Sequence, residues 1–209
     1  IQDRAGRYWF ATLRGASCMD PAVSSVSGAD LWTTYNTDSG LPSNRVGGFL
    51  EDGDGRIWTA TEGGLVRFDG SAWERITTDD GIPTDGGTCG ILDRRGRPWL
   101  GFRDGVAVYD GREFRSFGTA DGLVNNHVAS IHQDREGHMW FGTHGGVSQY
   151  DDSTWRTFRM KDGLADDDIW SGFLDSRGNL WFAAGGRSEV EGGGLSRFDG
   201  SRWTTYTTR

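Results

Sequence analysis

Four histidines lie close together in this chain, at His127, His132, His138 and His144, and clustered histidines suggest a metal centre. A zinc ion needs its ligands to converge to within about 2 Å of one point. Within the 41-residue unit that contains them, His127 and His144 fall on one face and His138 falls in the opposite turn. His132 takes the place of Leu50 inside a strand. The spacing therefore predicts no metal centre and no cofactor.

Carboxylates are the second candidate chemistry, since a glycosidase needs two of them facing a cleft at a defined separation. Acidic residues number 30 in this chain, and nothing in the sequence pairs any two of them. The sequence contains no Gly-x-Ser-x-Gly nucleophile motif and no phosphate-binding loop. We therefore predict no catalytic residues. A propeller lyase or a glycoside hydrolase stays open as an alternative.

Most residues that could do chemistry belong to a repeat, Asp-x-x-Gly-x-x-Trp, which occurs five times. Its first step is 49 residues and the next three are 41 residues each. A period near 40, rich in β-formers and tight turns, is typical of propeller blades. The marker tryptophans are Trp9, Trp58, Trp99, Trp140 and Trp181.

The period predicts an all-β fold, a single β-propeller domain over residues 1–209 with five four-stranded blades of about 41 residues. The first blade is about 11 residues short, which matches a missing inner strand. An excerpt from a longer propeller protein is an open alternative. The repeated Asp should bind the turn between the first two strands, and the Gly should supply its positive φ. Small residues in the first strand, such as Gly48 and Ser130, place that strand innermost.

Positions that vary between the repeats are better candidates for binding than the repeated residues. The residue after the second strand changes from blade to blade, and Asn or Asp precedes the first strand. These Asx residues could contact a ligand or make local turn hydrogen bonds. Trp170 could plug the channel or offer a stacking surface.

Two enlarged loops, roughly 14–27 and 187–193, are predicted between the second and third strands of units one and five. In a closed ring they would stand side by side on one rim, where binding residues commonly lie. The candidate ligand-binding residues are Arg14, Glu62, Arg103, His144, Trp170, Arg187, Glu189, Asn44, Asp85, Asn126 and Asp167.

Charge and hydropathy exclude two classes of partner. The formal net charge is -8, so the chain lacks the basic surface that nucleic acids attract. No apolar run approaches the ~20 residues that cross a bilayer. The expected partner is a small molecule, an oligosaccharide or a basic protein. The two cysteines, Cys18 and Cys89, are expected to be free.

The run from Gly40 to Val46, followed by the segment from Asp52 to Leu65, resembles the two-component regulator propeller repeat of bacterial hybrid histidine kinases. Weaker copies occur at 122–128 and 162–164. The resemblance covers essentially the whole chain. It implies a non-catalytic sensing module, located in the periplasm or outside the cell, that often binds oligosaccharides. A protein-interaction scaffold is the alternative that an acidic surface would suit.

Overall fold

The computed structural model describes residues 1–23, 31–84, 86–185 and 193–207, which form five antiparallel sheets in succession. The first sheet comprises β1 (Tyr8–Thr12), β2 (Gly15–Met19) and β3 (Trp32–Tyr35). The second and third comprise β4 (Val46–Glu51), β5 (Ile57–Thr61), β6 (Gly64–Phe68), β7 (Trp73–Ile76), β8 (Gly87–Leu92), β9 (Pro98–Phe102), β10 (Val106–Tyr109) and β11 (Phe114–Phe117). The fourth and fifth comprise β12 (Val128–Gln133), β13 (Met139–Thr143), β14 (Gly146–Tyr150), β15 (Trp155–Phe158), β16 (Ile169–Leu174), β17 (Leu180–Ala184), β18 (Gly194–Phe198) and β19 (Trp203–Thr207).

Each sheet is a propeller blade in which the strands pair in chain order. The first strand is innermost, because β12 packs against both β8 and β16, the first strands of the adjacent blades. Short 3₁₀ turns precede three of the inner strands, at Thr37–Ser39, Thr78–Asp80 and Met160–Asp162. The described part of the first blade has three strands, and Ile1 stands where an inner strand would end, with its carbonyl accepting from the Trp9 amide at 2.9 Å. The predicted five-bladed all-β fold and the missing inner strand are confirmed.

The repeated Asp binds both its turn and its marker Trp. In the fourth blade, Asp134 Oδ1 accepts from the His138 backbone N–H at 2.8 Å, and Asp134 Oδ2 accepts from the Trp140 indole N–H at 2.7 Å. The same indole bond recurs in all five blades at 2.7–3.1 Å. The turn role was predicted, whereas the bond to the indole was not. This bond satisfies an N–H that lies inside the apolar layer between blades.

Aromatic rings fill the space between neighbouring blades. Trp99 lies 5.6 Å from Phe141 and 6.1 Å from Tyr150, which both belong to the next blade. The fourth strand serves two such layers, since Trp155 contacts Phe117 of the preceding blade while Phe158 contacts Trp140 of its own. The i, i+3 spacing of these two aromatics needs no bulge, because β15 pairs regularly with β14. Residues three apart in a strand point to opposite faces.

The first enlarged loop lies on the face opposite to the predicted one. Leu13 and Arg14 alone join β1 to β2, and the extra residues fall between β2 and β3, at 20–31, of which 24–30 lie outside the described residues. Because strand direction alternates, this loop and the one after Ala184 are at opposite ends of the blades. The first and fifth blades also share no packing layer in the described part of the chain. The expectation of two adjacent loops on one rim is therefore wrong.

The remaining sequence expectations concern the cysteines and the membrane. Cys18 and Cys89 are both free. None of the helical segments in the described ranges has the length and apolar character needed to cross a bilayer.

Candidate functional site

On one face of the propeller, each of blades two to five presents an equivalent pair of positions. The residue after the second strand donates its backbone N–H to the residue that precedes the first strand. This bond joins Glu62 to Arg45 at 3.2 Å, His144 to His127 at 3.1 Å and Gly185 to Asp168 at 3.2 Å. The backbone bond recurs in these three blades while the side chains change. We call these positions the rim: Arg45/Glu62, Gly86/Arg103, His127/His144 and Asp168/Gly185.

The rim is most elaborate where blades four and five meet. The rings of His127 and His144 stack with centroids 3.9 Å apart and planes at 9°. His144 Nδ1 lies 3.2 Å from Asp168 Oδ1 on the next blade, and the His144 ring lies 5.9 Å from the Trp170 ring. We call His127, His144, Asp168 and Trp170 the rim cluster. Asp168 is buried, so it orients His144 and does not face solvent.

A bulge in the inner strand presents Trp170 to solvent. Pairing of β16 with β17 shifts between Ile169 and Ser171, which leaves Trp170 outside the ladder. The indole is 61% exposed. At Gly185, an added Cβ would lie 3.1 Å from Trp170 Nε1, so a glycine leaves room for the ring. Of the two roles predicted for Trp170, this exposure favours a stacking surface over a channel plug, because a solvent-exposed ring can contact a ligand.

The electrostatics of the cluster favour a neutral His127. Burial lowers the pKa of His127, and the nearby His144 and Arg103 lower it further. A second positive charge 3.9 Å away would be costly, since like charges at short range disfavour protonation. His127 therefore carries less positive charge near neutral pH than a free histidine would.

At blades two and three, the rim borders an open groove. This groove has a volume of about 910 Å³ and is lined by the inner strands β4 and β8, with Glu62, Arg103 and Leu13 among its residues. Glu62 forms an ion pair with Arg45, with Oε1 and Nη1 2.7 Å apart. Glu62 and Arg103, predicted from their variation between repeats, thus border one concave surface.

The Asx residues before the inner strands bind the backbone of the preceding turn. Asn44 Oδ1 accepts from Thr37 N at 2.9 Å, and Asn126 Oδ1 accepts from Thr119 N at 2.8 Å. Asp167 Oδ1 accepts from Met160 N at 2.7 Å. These are local turn bonds, which were the predicted alternative to ligand contact.

The other predicted residues are scattered. Arg14 is exposed in the β1–β2 turn, on the rim face of the first blade. Arg187, Glu189 and Asp85 lie outside the described residues. Two members of the rim cluster, His127 and Asp168, were not among the candidates. The same criterion, variation between blades, could have identified both, because the residue that follows each predicted Asx also differs in every blade.

The histidines occupy the separate places that the repeat assigned to them. His138 Nδ1 lies 3.0 Å from Asp134 Oδ2 at the opposite turn, and His132 sits inside β12. Across the described ranges, no three His, Cys, Asp or Glu side chains group as metal ligands would.

Comparison with known proteins places this geometry among propellers. Residues 40–63 and 122–145 match the model of the two component regulator propeller. A search of curated proteins gives no match. Two similar solved structures are extracellular domains of hybrid two component systems from B. thetaiotaomicron. The first has a TM-score of 0.74 at 22% identity and the second has 0.74 at 18%.

The alignment covers 99% of this chain and 28% of the first of these domains, and 100% and 30% for the second. The chain thus spans less than a third of the length of those structures. Virginiamycin B lyase from Staphylococcus aureus is also similar, with a TM-score of 0.69 at 14% identity over 99% of this chain and 68% of the lyase. Identities this low show a shared fold. The described residues therefore form a five-bladed β-propeller, in which segments 40–63 and 122–145 match the two component regulator propeller model.

Proposed function

We propose that this propeller is a non-catalytic sensing module that binds a small molecule on the rim, in the periplasm or outside the cell. The observation that carries the proposal is the rim cluster, where the exposed Trp170 indole stands beside a half-buried His144 imidazole that the buried Asp168 orients. Binding is favoured when a ligand covers an apolar ring that would otherwise face water, because apolar surface is removed from water. A rigid scaffold with variable side chains at one face is the usual arrangement for binding.

The ligand class that suits these groups is an oligosaccharide. The apolar C–H face of a sugar ring can pack on the Trp170 indole, while its hydroxyls can exchange hydrogen bonds with His144, Arg103 and Glu62. The groove above β4 and β8 continues along the same rim, which gives room for more than one sugar unit. Similarity to the extracellular domains of hybrid two component systems supports a sensing role.

A glycan array followed by calorimetry tests this proposal. We expect an oligosaccharide to bind, and Trp170→Ala to weaken its affinity by about tenfold or more, in line with the ~1.4 kcal/mol that a tenfold change represents. Trp32→Ala is the matched control, because it removes another half-exposed indole, which lies at the start of β3 on the first blade.

Three outcomes would count against the proposal. Equal losses from Trp170→Ala and Trp32→Ala would show that binding does not occur at the rim. Absence of binding across a broad array would favour a protein-interaction scaffold. Turnover of a bound glycan or lactone would show that the module is an enzyme.

A further inference from the structure

The stacked histidines of the rim cluster join blade four to blade five. The rings of His127 and His144, both of blade four, lie 3.9 Å apart in nearly parallel planes. On the other side, His144 Nδ1 lies 3.2 Å from Asp168 Oδ1 of blade five, and the His144 ring stacks on the Trp170 indole. All four residues lie within the described part of the chain, at a boundary that has a blade on either side.

The charged groups that act on this histidine pair, among the described residues, come from blades three and five. Burial lowers the pKa of His127, and the charges of His144 and Arg103 lower it further. Asp168 of blade five and Asp104 of blade three oppose that shift. His144 therefore has a carboxylate beside its ring nitrogen to balance a proton, whereas burial and Arg103 disfavour a proton on His127.

A second proton on the pair conflicts with the stacked geometry. It would place like charges on two rings whose centroids are 3.9 Å apart. Water cannot enter between stacked rings, so the repulsion is poorly screened. The stacked arrangement is therefore compatible with one proton or with none, and a second proton favours separation of the rings.

We propose that the rim cluster is a proton-operated switch, in which a second proton on the histidine pair separates the two rings and shifts the Trp170 indole that rests on His144. Trp170 can follow this movement, because the bulge leaves it outside the ladder of its sheet and its indole is 61% exposed. Thr88 occupies the same bulge position in blade three and is exposed as well, so the exposure belongs to the position.

The consequence for binding rests on the proposed function, whereas the switch itself does not. A ligand that stacks on Trp170 near neutral pH would lose this support in acid. The pKa of His127 is lowered from 6.5, so the second proton binds below that pH and the affinity should fall in the same range.

Nuclear magnetic resonance of the ligand-free chain tests this inference. Imidazole carbon–proton spectra follow the histidines from about pH 8 to pH 5, and indole nitrogen–proton spectra follow the tryptophans over the same range. Trp170→Phe assigns the Trp170 signal, and His127→Gln assigns that of His127. We expect the Trp170 signal to shift with the same midpoint as His127, below pH 6.5.

Substitutions on either side of the pair give the sharper result. His127→Gln should abolish the shift of the Trp170 signal, since one ring of the pair can then no longer be charged. Arg103→Gln should move the midpoint to higher pH and Asp104→Asn to lower pH, because the two charges act on His127 with opposite signs. His132→Leu is the control, because it removes the histidine of β12 and leaves the rim intact, so the midpoint should not move.

Several results would overturn the switch. They are a Trp170 signal that stays fixed while His127 titrates, a shift that survives in His127→Gln or disappears in His132→Leu, and a midpoint that neither Arg103→Gln nor Asp104→Asn moves. Glycan binding is measured separately from this transition. A rim that binds a glycan without the Trp170 transition refutes the switch alone, and a transition in a chain that binds no glycan refutes the proposed function alone.

Discussion

A single half-buried histidine on an inner strand offers a sensitive test of how the repeat assigns residues. His132 occupies an inner-strand position of β12 where the other blades have Leu50, Ile91 and Phe173. Its Nε2 atom is buried and has no hydrogen-bond partner in the described part of the chain. Its ring packs edge-on against Phe182 at 6.2 Å. The imidazole therefore sits where the fold elsewhere has an apolar side chain.

We expect His132→Leu to stabilise the protein. A buried polar group left without a partner costs about 1–3 kcal/mol, and leucine at this position removes that cost. For a chain of 150–250 residues, each kcal/mol shifts the melting temperature by about 2–4 °C. The melting temperature at pH 7 should therefore rise by about 2–12 °C.

The stability difference between His132→Leu and the parent should increase as the pH falls. Burial lowers the pKa of His132 below the ordinary value near 6.5, so the unfolded chain takes up a proton more readily than the folded chain. The stability associated with neutral His132 is fully present above pH ~6.5 and is lost as pH falls through 6.5 towards the folded pKa. The leucine variant has no such loss.

Thermal and urea unfolding of the parent and variant between pH 5 and pH 8 would measure both effects. Leu50→His is the reciprocal control, and it should destabilise the protein and add acid sensitivity, because Leu50 packs against the core between blades two and three. A His132→Leu variant that is less stable than the parent, or a gap that does not depend on pH, would refute the reasoning.

Further predictions concern the repeated Asp, two strand glycines and the rim. Asp134→Ala should lower the free energy of unfolding by about 3 kcal/mol or more, since it removes charged hydrogen bonds and leaves the Trp140 indole N–H buried without an acceptor; urea unfolding measures this. Gly101→Ala should cost about 1–3 kcal/mol, because its Cβ would lie 2.6 Å from a side-chain sulfur, whereas Gly48→Ala has open space and should be tolerated. The pKa of His127 is lowered in the folded protein, so the stability that depends on neutral His127 should be lost as pH falls through 6.5. His127→Gln should therefore reduce the pH dependence of the melting temperature.

The sequence was sufficient for the architecture because the blade is a local unit. The Asp, Gly and Trp of each repeat fix a turn and its adjoining strands through contacts fewer than ten residues apart, as with Asp134, His138 and Trp140. The positions of strands, the innermost placement of the first strand and the separation of the four histidines all follow from that unit. The first loop was misplaced because its extra residues obscured the short turn before Gly15, even though Gly15 has the same positive φ of 125° as Gly64 and Gly146.

What depended on the tertiary structure was the relation between blades. His144 meets Asp168 and Trp170 across a blade boundary, and no spacing within one repeat predicts a contact between two. The bulge beside Trp170 belongs to the blade itself, since the inner strands β4, β8, β12 and β16 all shift register at the equivalent place. Local hydrogen bonding determines a blade, whereas the rim cluster is set by side chains that meet only after the blades have packed.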